Sequence, residues 1–383
     1  MTGKIGDSIA AQGEKRLKIG LAGFCSGDNF GDLLMYAMYS KYISSKGHQC
    51  IAIGADKWFL ERLHACGVEI ESIAVDQISS ELSACLFLGG GYMGWPDFAV
   101  PTWQLKYIKN NPYQCIARKC RASQIPYYVD GVEVGPGLYP LAGAVVRDIL
   151  GSAESVVVRN SASSSYARRY GADGVRVKAD VVIGNLSIMN PEYSIEGRYS
   201  EPPSRERVLG IHLASYVVGD SFLARNFADL LRVEICQFEP SKIICFTDSF
   251  TTPKTSESCI RFVDQLVAAG YVVELEMYTG VQSVLEVLNS IDFLVTTKLH
   301  AGVAALALGC YAICIGSAPK LARFYTDSGL DGHYLNHIFS SSSKKKAFIQ
   351  DHFNRFSGGH QPRFDTQTIE SSKSYFSEFA LGL

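Results

Sequence analysis

The sequence predicts an α/β fold in which two doubly wound, Rossmann-like domains face a central cleft. At 383 residues the chain is too long for one ordinary hydrophobic core, and the usual ~100–200 residues per domain suggests two. Apolar residues make up 47% of the chain, which is enough to fill two cores. Short apolar runs alternate with helix-like stretches along most of the sequence, the pattern of parallel sheets covered by helices.

The first alternating series follows a polar N-terminal segment, residues 1–16, which we expect to be flexible. The apolar run Leu17–Phe24 predicts a buried strand, and a glycine-bearing loop separates it from a helix-like stretch, Leu33–Ser45. Further elements are predicted at Cys50–Gly54, Asp56–Cys66, Ala84–Leu88, Pro126–Asp130, Leu141–Leu150, Ser155–Arg159, Ser161–Tyr170 and Val175–Val182. Together they define an N-terminal domain of residues 17–189.

A change in composition separates the two series. Residues 190–207 hold three prolines among polar and charged side chains, which predicts an interdomain linker. A C-terminal, donor-binding domain of residues 208–335 then contains predicted elements at Val208–Leu213, Phe222–Phe238, Lys242–Thr247, Ser256–Ala269, Tyr271–Leu275, Val281–Ser290, Ile291–Thr296, Ala301–Leu308 and Tyr311–Ile315. Residues 336–383 form a tail with a solvated turn at Ser340–Lys346 and two helices, and this tail could pack back on the N-terminal domain.

Charge and cysteine usage exclude several classes of protein. Thirty-six Lys and Arg against 38 Asp and Glu leave a formal charge of −2, so no basic excess indicates nucleic acid binding. The 11 cysteines form no Cys-x-x-Cys pair, so zinc spacing is absent and the thiols fit a reducing compartment. Residues 1–16 lack a signal peptide's apolar run, and the longest apolar stretch, Ala301–Gly316, is shorter than the ~20 residues that cross a bilayer. We therefore expect a cytoplasmic protein, with contact at the inner face of the membrane left open.

Four loops that follow predicted strands carry candidate binding residues, because ligands bind beyond the carboxyl ends of parallel strands. The first loop precedes a helix that Thr296 or Thr297 is predicted to cap. Free amides at a helix N-terminus attract anions, and Lys298 adds a positive charge beside them. His300 lies in the first turn, where the helix dipole favours the neutral ring and hence proton transfer. These residues predict an anion site with an acid/base candidate, although a solvated lysine and a hydrogen-bonded histidine would fit equally well.

The second and third loops are candidates for contact with an acceptor. In the second, Ser26–Asp32, a polar side chain could cap the next helix or bind hydroxyls, and the glycine spacing is not that of a dinucleotide fingerprint. The third begins with three glycines at a strand end, which imply close approach of the backbone, and aromatic residues follow that could stack on a sugar or fill a core. The candidate residues of the two loops are Asn29, Asp32, Gly90, Gly91, Tyr92 and Trp95.

The fourth loop, Gly131–Gly137, follows a predicted strand and contains Glu133. This carboxylate could act as a base or a hydroxyl ligand. Arg159 ends the strand beyond and offers a bidentate fork to a carboxylate or phosphate. For each residue alone, a surface salt bridge is the more common role.

Taken together, these loops resemble the polysaccharide pyruvyltransferase family over roughly residues 18–330. The matching segments are Asn29–Asp32 for an Asn-x-Gly-Asp loop, Gly89–Gly91 for a triple glycine, Gly131–Pro136 for a Gly-x-Gly-x-Gly-Pro-like segment, Lys298–Ala301 for Arg-Leu-His-Ala, and Lys320 with Phe324 downstream. Three positions depart from the pattern: Lys298 replaces arginine, Asn160 replaces the aspartate after Arg159, and Glu133 replaces a small residue. At residue 298 the lysine offers an anion a single ammonium group, where arginine would offer two parallel N–H donors.

The resemblance implies a fold similar to that of GT-B glycosyltransferases and a reaction that places a pyruvate ketal across two hydroxyls of a sugar in a cell-surface polysaccharide or its precursor. Phosphoenolpyruvate is the implied co-substrate, and no other cofactor or bound metal is expected. The sugar acceptor could be lipid-linked, nucleotide-linked or polymeric. No metal-ligand cluster accompanies the loops in the sequence.

The resemblance also implies roles for individual residues. His300 is the implied general acid/base, and Glu133, which departs from the family pattern, is the second catalytic candidate because its carboxylate could act as a base. Arg159, Lys298, Lys320 and the helix that begins near Leu299 are the implied donor-binding groups. Two other readings stay open at this stage: a nucleotide-sugar glycosyltransferase of the same architecture, and a non-catalytic scaffold for glycan assembly.

Overall fold

The computed structural model describes residues 16–382 apart from 28, 94–110, 136–139, 196–206, 215–221 and 251. The described residues form two parallel sheets that belong to two successive Rossmann-like domains, as predicted. The N-terminal segment up to residue 15 and most of the predicted linker lie outside the described residues. Within the described part of the chain, no helix has both the length and the apolar character needed to span a membrane.

The strands of the first sheet are β1 (Lys18–Ala22), β2 (Gln49–Ile53), β3 (Glu71–Ile73), β4 (Ala84–Phe87), β5 (Gly90–Met93), β6 (Tyr127–Val134), β7 (Ser155–Val158) and β8 (Arg176–Val177). Those of the second sheet are β9 (Val208–His212), β10 (Lys242–Phe246), β11 (Val273–Glu276), β12 (Phe293–Thr296), β13 (Tyr311–Gly316) and β14 (Tyr334–Asn336). All the strand pairs in both sheets are parallel.

The helices, in chain order, are α1 (Phe30–Ser45), α2 (Lys57–Ala65), α3 (Pro112–Ala122), α4 (Pro140–Leu150), α5 (Ser161–Arg169), α6 (Val181–Asn185), α7 (Phe222–Phe238), α8 (Pro253–Ala268), α9 (Val281–Ser290), α10 (Leu299–Ala307), α11 (Pro319–Asp327), α12 (Ser342–Ser357) and α13 (Thr366–Gly382). Most of them follow a strand directly, so the chain alternates between sheet and helix in each half.

In both sheets the strand order reverses beside the strand that comes first in the chain, β1 or β9. The second sheet has the order β11-β10-β9-β12-β13-β14, which is the 3-2-1-4-5-6 order of a Rossmann fold. The first has the order β3-β2-β1-β4-β6-β7-β8, with β5 paired to β6. Strands β4, β12 and β13 are buried along their whole length, as expected for parallel strands covered on both faces. Loops at such a switch point are the usual place for a ligand.

Contacts between the two halves bring their carboxyl-end loops together. The amide of Phe30, at the start of α1, donates to the carbonyl of Asp248, just after β10 (3.1 Å). The Ser161 amide at the start of α5 donates to the carboxylate of Asp327 at the end of α11 (2.6 Å). Gly31 lies against the His300 ring, and no side chain could replace its hydrogen without overlap. The central cleft is therefore lined by both halves.

The last helix returns to the first half of the molecule. The Ser371 hydroxyl accepts from the Ala179 amide (3.1 Å), and the carbonyl of Phe376 accepts from the Tyr42 hydroxyl (2.8 Å). Gly184 in α6 fits against this helix because a Cβ there would lie 2.9 Å from the carbonyl of Ile369. Helix α13 thus packs across α6 and α1.

Three local predictions differ from the structure. Strand β6 continues to Val134, so Glu133 lies in a strand and not in a loop; its pairing with both β5 and β7 extends it. Gly90–Met93 is also a strand, since the backbone after the glycines pairs with β6. The solvated turn predicted at Ser340–Lys346 is wrong, because Ser341 caps a helix that starts at Ser342.

Candidate active site

The candidate site lies where the carboxyl ends of both sheets meet. From the first sheet come the start of α1, the end of β6 and the residue after β7. From the second come the segments that lead from β12 into α10 and from β13 into α11. These last two segments touch, because a Cβ on Gly316 would lie 3.1 Å from the carbonyl of Thr297. The fold thus gathers most of the predicted site residues into one cleft.

His300 lies between the two halves of the molecule. It is in the first turn of α10, and its side chain is about 10% exposed. One edge of the ring packs on Gly31, while Nε2 lies 3.7 Å from Asp180 Oδ2. Nε2 is buried and has no hydrogen-bond partner among the described residues. The geometry therefore leaves a ring nitrogen available for a ligand or for proton exchange with a neighbouring carboxylate.

A chain of alternating charges supports this histidine. Arg323 Nη1 donates to Glu133 Oε1 (2.9 Å), and the other oxygen of Glu133 accepts from Arg159 Nη2. Arg159 Nη1 lies 3.6 Å from Asp180 Oδ2, the same oxygen that faces His300. Glu133, Arg159 and Asp180 are all buried. The chain crosses the cleft twice, since Arg323 and His300 belong to the second half of the molecule.

The ion pairs offset the cost of burying these charges. Burial alone would raise the pKa of Glu133, but the guanidinium groups of Arg159 and Arg323 outweigh it and hold this pKa below its ordinary value. Burial also acts to raise the pKa of Asp180, and the neighbouring His300 and Arg159 reverse the direction and lower it. Both carboxylates are therefore ionised at neutral pH, and Glu133 has both oxygens engaged by arginines.

The pKa of Asp32 is shifted in the opposite direction, upwards. Burial raises its pKa, although His300, Lys320 and the Asn29 amide each oppose the rise. Asn29 Nδ2 donates to Asp32 Oδ2 (2.6 Å), and Asn29 also caps α1 by accepting from the Gly31 amide. This loop therefore places a carboxyl group with a raised pKa close to the imidazole.

Lys298 is anchored by a second buried carboxylate. Its Nζ lies 3.7 Å from Asp248 Oδ1, and His212 Nε2 lies 3.2 Å from the same oxygen. His212 Nδ1 in turn contacts Thr296 Oγ1 (3.0 Å). Burial acts to raise the pKa of Asp248, but His212 and Lys298 reverse this and lower it strongly. The Lys298 side chain remains 39% exposed, so its ammonium can reach a ligand in the cleft.

Helices α10 and α11 begin at the cleft without a side-chain cap. Their N-cap residues are Lys298 and Ala318, and neither helix has a side-chain cap hydrogen bond. The predicted cap at α10 is wrong, because Thr296 Oγ1 accepts from the Lys298 amide, one position before the helix. By contrast, side-chain caps close helices α1, α2, α3, α5, α6, α8 and α12. Two positively polarised helix ends therefore remain open to an anion.

Lys320 lies in the first turn of α11 beside these helix ends. Among the described residues its ammonium forms no ion pair. Burial lowers its pKa, and the nearby Arg159 and Lys298 add to the effect against the carboxylates of Glu133 and Asp32. A cation held in this way gains most from an anionic ligand, because that ligand supplies the missing counter-charge.

The third loop does not present a free aromatic platform within the described residues. Tyr92 stacks on Tyr113 with ring centroids 4.1 Å apart, and its hydroxyl donates to the carbonyl of Leu88. Gly90 has φ +149°, and a Cβ there would lie 2.8 Å from the Tyr92 ring. Gly91 is exposed with open space beside it. Trp95 lies outside the described residues.

Sequence reasoning missed Asp180, Asp248 and Arg323. Asp180 precedes a short helix, and a capping aspartate there was the available signal. Asp248 follows a strand of the second sheet, a position that could have been noted by the rule applied to the other loops. Arg323 lies one turn after Lys320 on the same helix, but nothing local indicates that it reaches Glu133 in the other half of the molecule.

The site's chemistry is that of anion binding combined with proton transfer. Four cationic side chains, Arg159, Lys298, Lys320 and Arg323, and two open helix ends surround an imidazole and a carboxyl group with a raised pKa. Within the described part of the chain, no three His, Cys, Asp or Glu side chains group in a way that could hold a metal ion.

A family model for polysaccharide pyruvyl transferases matches residues 29–319, from the cap of α1 to the first residue of α11. The chain belongs to this family. It is therefore a transferase of polysaccharide biosynthesis, and the family implies a sugar acceptor. The matched range contains the loops from which the resemblance was predicted. No curated protein matches the chain.

Solved structures with a similar fold include UDP-GlcNAc 2-epimerases. The enzyme from Neisseria meningitidis, bound to UDP-GlcNAc, has a TM-score of 0.61 at 10% identity, covering 96% of this chain and 100% of that one. The enzyme from Methanocaldococcus jannaschii has a TM-score of 0.60 at 12% identity, with the same coverage. At such identities the likeness shows the fold alone, which is the two-domain, GT-B-like fold that was predicted.

Proposed function

We propose that this pyruvyl transferase uses phosphoenolpyruvate as its donor and forms a pyruvate ketal across two hydroxyls of its sugar acceptor. One observation carries the proposal: the open N-termini of α10 and α11 and the cations Lys298 and Lys320 lie at the same end of the sheets as His300, whose buried Nε2 has no hydrogen-bond partner among the described residues. A compact ligand with both a phosphate and a carboxylate matches this arrangement, because each anionic group can be met by a helix end and a lysine.

The donor's anionic groups would supply the counter-charge for Lys320, the cation that remains after the others are paired within the protein. Arg159 is held by Glu133 and Asp180, and Lys298 by Asp248, whereas Lys320 has no ion pair among the described residues. Binding of an anion beside Lys320 would raise its lowered pKa, so donor binding should stabilise the protonated amine. In this proposal Arg159 orients the donor while it fixes Asp180.

The reaction requires a proton at the methylene carbon of the enol. That protonation makes C2 electrophilic, one hydroxyl adds to C2 and loses its proton, and the C2–O bond to phosphate breaks with its electron pair on the phosphate. The second hydroxyl then adds to C2 and loses its proton, which closes the ketal. We assign proton transfer to His300, with the imidazolium also stabilising the leaving phosphate. Asp180 would stabilise that imidazolium.

The acceptor diol needs a group that can take a proton. Two carboxyl groups were predicted for this task. Asp32 suits it better than Glu133, because the pKa of Asp32 is raised, whereas both oxygens of Glu133 are engaged by arginines. Glu133 has a lowered pKa and two arginine partners, so we propose that it positions Arg159 and Arg323.

The direct test is a transfer assay with phosphoenolpyruvate and a panel of galactose, glucose and N-acetylmannosamine acceptors. We expect phosphate release together with an acceptor mass gain equal to pyruvate minus water. His300→Ala should reduce transfer to at most a few per cent while leaving the unfolding transition intact, and His360→Gln, at an exposed histidine, serves as the matched control. Substantial activity in His300→Ala would remove His300 from the mechanism.

A nucleotide-sugar arm tests the alternative donor. The neighbouring epimerase structures are described with UDP-GlcNAc, so a UDP-sugar is the natural competitor for a cleft of this fold. If UDP shifts the melting temperature and phosphoenolpyruvate does not, the pyruvyl donor assignment fails and a nucleotide-sugar reaction replaces it.

A further inference from the structure

Three exposed aromatic side chains lie along one rim of the cleft. Phe24 is 43% exposed, Trp58 is 44% exposed and Phe250 is 37% exposed. With Arg62 and Tyr278 they form what we call the rim cluster. Rings of this size are normally more deeply buried in a folded protein, so several together at a cleft indicate a surface that contacts a ligand.

The rim cluster is built from both halves of the molecule at the carboxyl ends of their strands. Phe24 follows β1, and the carbonyl of the next residue, Cys25, accepts from the amide of Asp56 (3.4 Å), the cap of α2. Trp58 is in the first turn of α2. Phe250 comes from the other half, four residues after the end of β10. The cluster therefore belongs to the same edge of the fold as the candidate active site.

Arg62 holds the rings of Trp58 and Phe250 in place. Its guanidinium lies 4.2 Å from the centroid of Trp58 and 3.9 Å from that of Phe250. Phe250 meets Trp58 and Tyr278 edge to face, each at 5.2 Å between centroids. Cation–π and edge-to-face contacts of this kind hold side chains in defined orientations. The exposed part of Trp58 is thus a preorganised surface and not a freely moving side chain.

The cluster is continuous with the anion site. Phe250 lies two residues after Asp248, whose carboxylate contacts Lys298 (3.7 Å) and whose carbonyl accepts from the Phe30 amide (3.1 Å). A ligand that extends out of the cleft past Lys298 would therefore reach the rim cluster. The third loop was predicted to provide an aromatic surface for the sugar. Its Tyr92 ring is less available for stacking on a sugar, because it already stacks on Tyr113.

We propose that the rim cluster is an acceptor subsite that stacks on the apolar face of a pyranose ring next to the sugar that receives pyruvate. This inference deepens the proposed function, because it concerns the acceptor of the same site. Pyranose rings present C–H groups on one face and hydroxyls at the edge, which suits the exposed part of the Trp58 ring together with the guanidinium donor that packs over that ring. The three rings cover much less than the ~800 Å² per partner of a typical protein interface, so a small ligand fits better.

The test compares the wild-type protein with Trp58→Ala, using acceptors of different lengths. We expect the apparent KM for a β-linked trisaccharide of the accepted sugar to rise about tenfold, while the KM for phosphoenolpyruvate and the kcat stay within twofold. The KM for the corresponding methyl pyranoside should not change, because one sugar fills only the reaction centre. Trp58→Phe should recover most of the loss. Phe339→Ala, at an 85% exposed ring outside the rim cluster, is the control.

A donor-free binding measurement separates this inference from the proposed function. Saturation-transfer NMR with the trisaccharide should show contact with the wild-type protein and much weaker contact with Trp58→Ala. Equal contact with both proteins, or no contact with the wild type for any trisaccharide of the panel, would overturn the subsite. Displacement of the trisaccharide by UDP but not by excess methyl pyranoside would overturn it in favour of a nucleotide site. Trisaccharide binding that depends on Trp58, without pyruvyl transfer, would leave the subsite standing and refute the proposed function.

Discussion

His300, from the second half of the molecule, is held by two contacts from the first half. The backbone of Gly31 lies against one side of its ring, and Asp180 faces Nε2 at 3.7 Å. Arg159 is buried beside Asp180, and burial of that guanidinium is offset by Glu133 and Asp180, which raise its pKa. The imidazole therefore works in a charged but almost dry environment, where a proton or an anion has a large effect on its neighbours.

Lys298→Ala tests the donor contact. Because an exposed ammonium that binds the donor contributes to both the ground state and the transition state, we expect the KM for phosphoenolpyruvate to rise about tenfold with little change in kcat. Lys344→Ala, at an exposed lysine on α12, is the control. A large loss of kcat at unchanged KM would instead assign Lys298 to stabilising charge in the transition state.

Asp180→Asn tests whether this carboxylate stabilises the imidazolium. The amide can still accept the Val182 amide proton that Asp180 Oδ1 accepts (3.1 Å), so the cap of α6 is retained. The substitution removes the carboxylate charge that faces Nε2, so an imidazolium formed during proton transfer loses its counter-charge. We therefore expect kcat to be reduced more than KM is changed. An unchanged kcat would limit Asp180 to a structural role.

Side chains whose partners are close in sequence could be predicted, and those paired across the cleft could not. Lys298 and His300 were expected at the site because they lie at a helix start just beyond a strand, and Lys320 because of the family resemblance. The ion pair of Arg323 with Glu133 joins residues that are 190 positions apart, so no local pattern indicates it. The donor capacity left open at Arg159 was overestimated, because this side chain is paired with Glu133 and lies beside Asp180.

In the proposed site, helices α10 and α11 determine where an anion can bind. Adjacent parallel strands β12 and β13 place the two helix starts side by side, and neither start has a side-chain cap. Because α11 begins with Pro319, which has no N–H, the first amide that this helix can offer is that of Lys320. Helix α1 approaches from the other half, and its own cap, Asn29, holds Asp32 at 2.6 Å. The site is thus a meeting of three helix N-termini, two of them open.

Gly31→Ala tests the packing of α1 against α10. A Cβ at residue 31 would overlap the His300 ring, so the ring or the helix must move. We expect transfer activity to fall at least 100-fold, since small displacements of a catalytic group have effects of this size. Gly332→Ala is the matched control, because its Cβ would meet nothing within 4 Å. Wild-type activity in Gly31→Ala would show that the observed contact is not needed for catalysis.

Most elements were predictable because the apolar periodicity of a parallel strand and the glycine after it are local signals. Helix α9 has the predicted bounds, Val281–Ser290, and β13 extends one residue beyond its prediction. The failures at β5 and β6 have a common cause: both depend on pairing with a neighbouring strand that is distant in sequence. Three glycines in a row indicate a loop from local propensity, and only pairing within the sheet makes Gly90 and Gly91 part of a strand.

At the scale of the whole molecule, buried histidines in the second half should make stability depend on pH. His352 is buried between the Tyr311 hydroxyl (2.6 Å) and the carbonyl of Gly332 (2.7 Å). Burial, with His333 nearby, lowers the pKa of His352 from its ordinary 6.5 to about 4. Burial also lowers the pKa of His333. The unfolded chain binds more protons than the native protein between these values, so the free energy of unfolding falls as the pH falls through this range.

Thermal unfolding between pH 7 and pH 4.5 measures this effect. The melting temperature should drop on acidification below about pH 6.5, with each such histidine contributing at most about 1.4 kcal/mol per pH unit. His352→Gln should be less stable at pH 7 but show a shallower dependence on pH. An identical pH dependence in His352→Gln would show that His352 is not responsible.

The two-domain arrangement was predictable because length, composition and alternation all indicate it. The closed cleft was not, since it depends on cross-domain contacts such as Phe30 to Asp248 and Ser161 to Asp327. These contacts join residues separated by well over a hundred positions, and no pattern within one half specifies them. The return of the C-terminal tail to the N-terminal domain was expected, but its route across α6 rests on tertiary packing around Gly184.

A crystal soaked with phosphoenolpyruvate and solved without the acceptor is the most direct measurement. The account predicts the donor's anionic groups against the first amides of α10 and the Lys320 amide of α11, within ion-pair distance of Lys298 and Lys320, and its enol carbons beside His300 Nε2. Density for the donor elsewhere on the protein, or none at saturating donor while UDP occupies the cleft, would contradict the account.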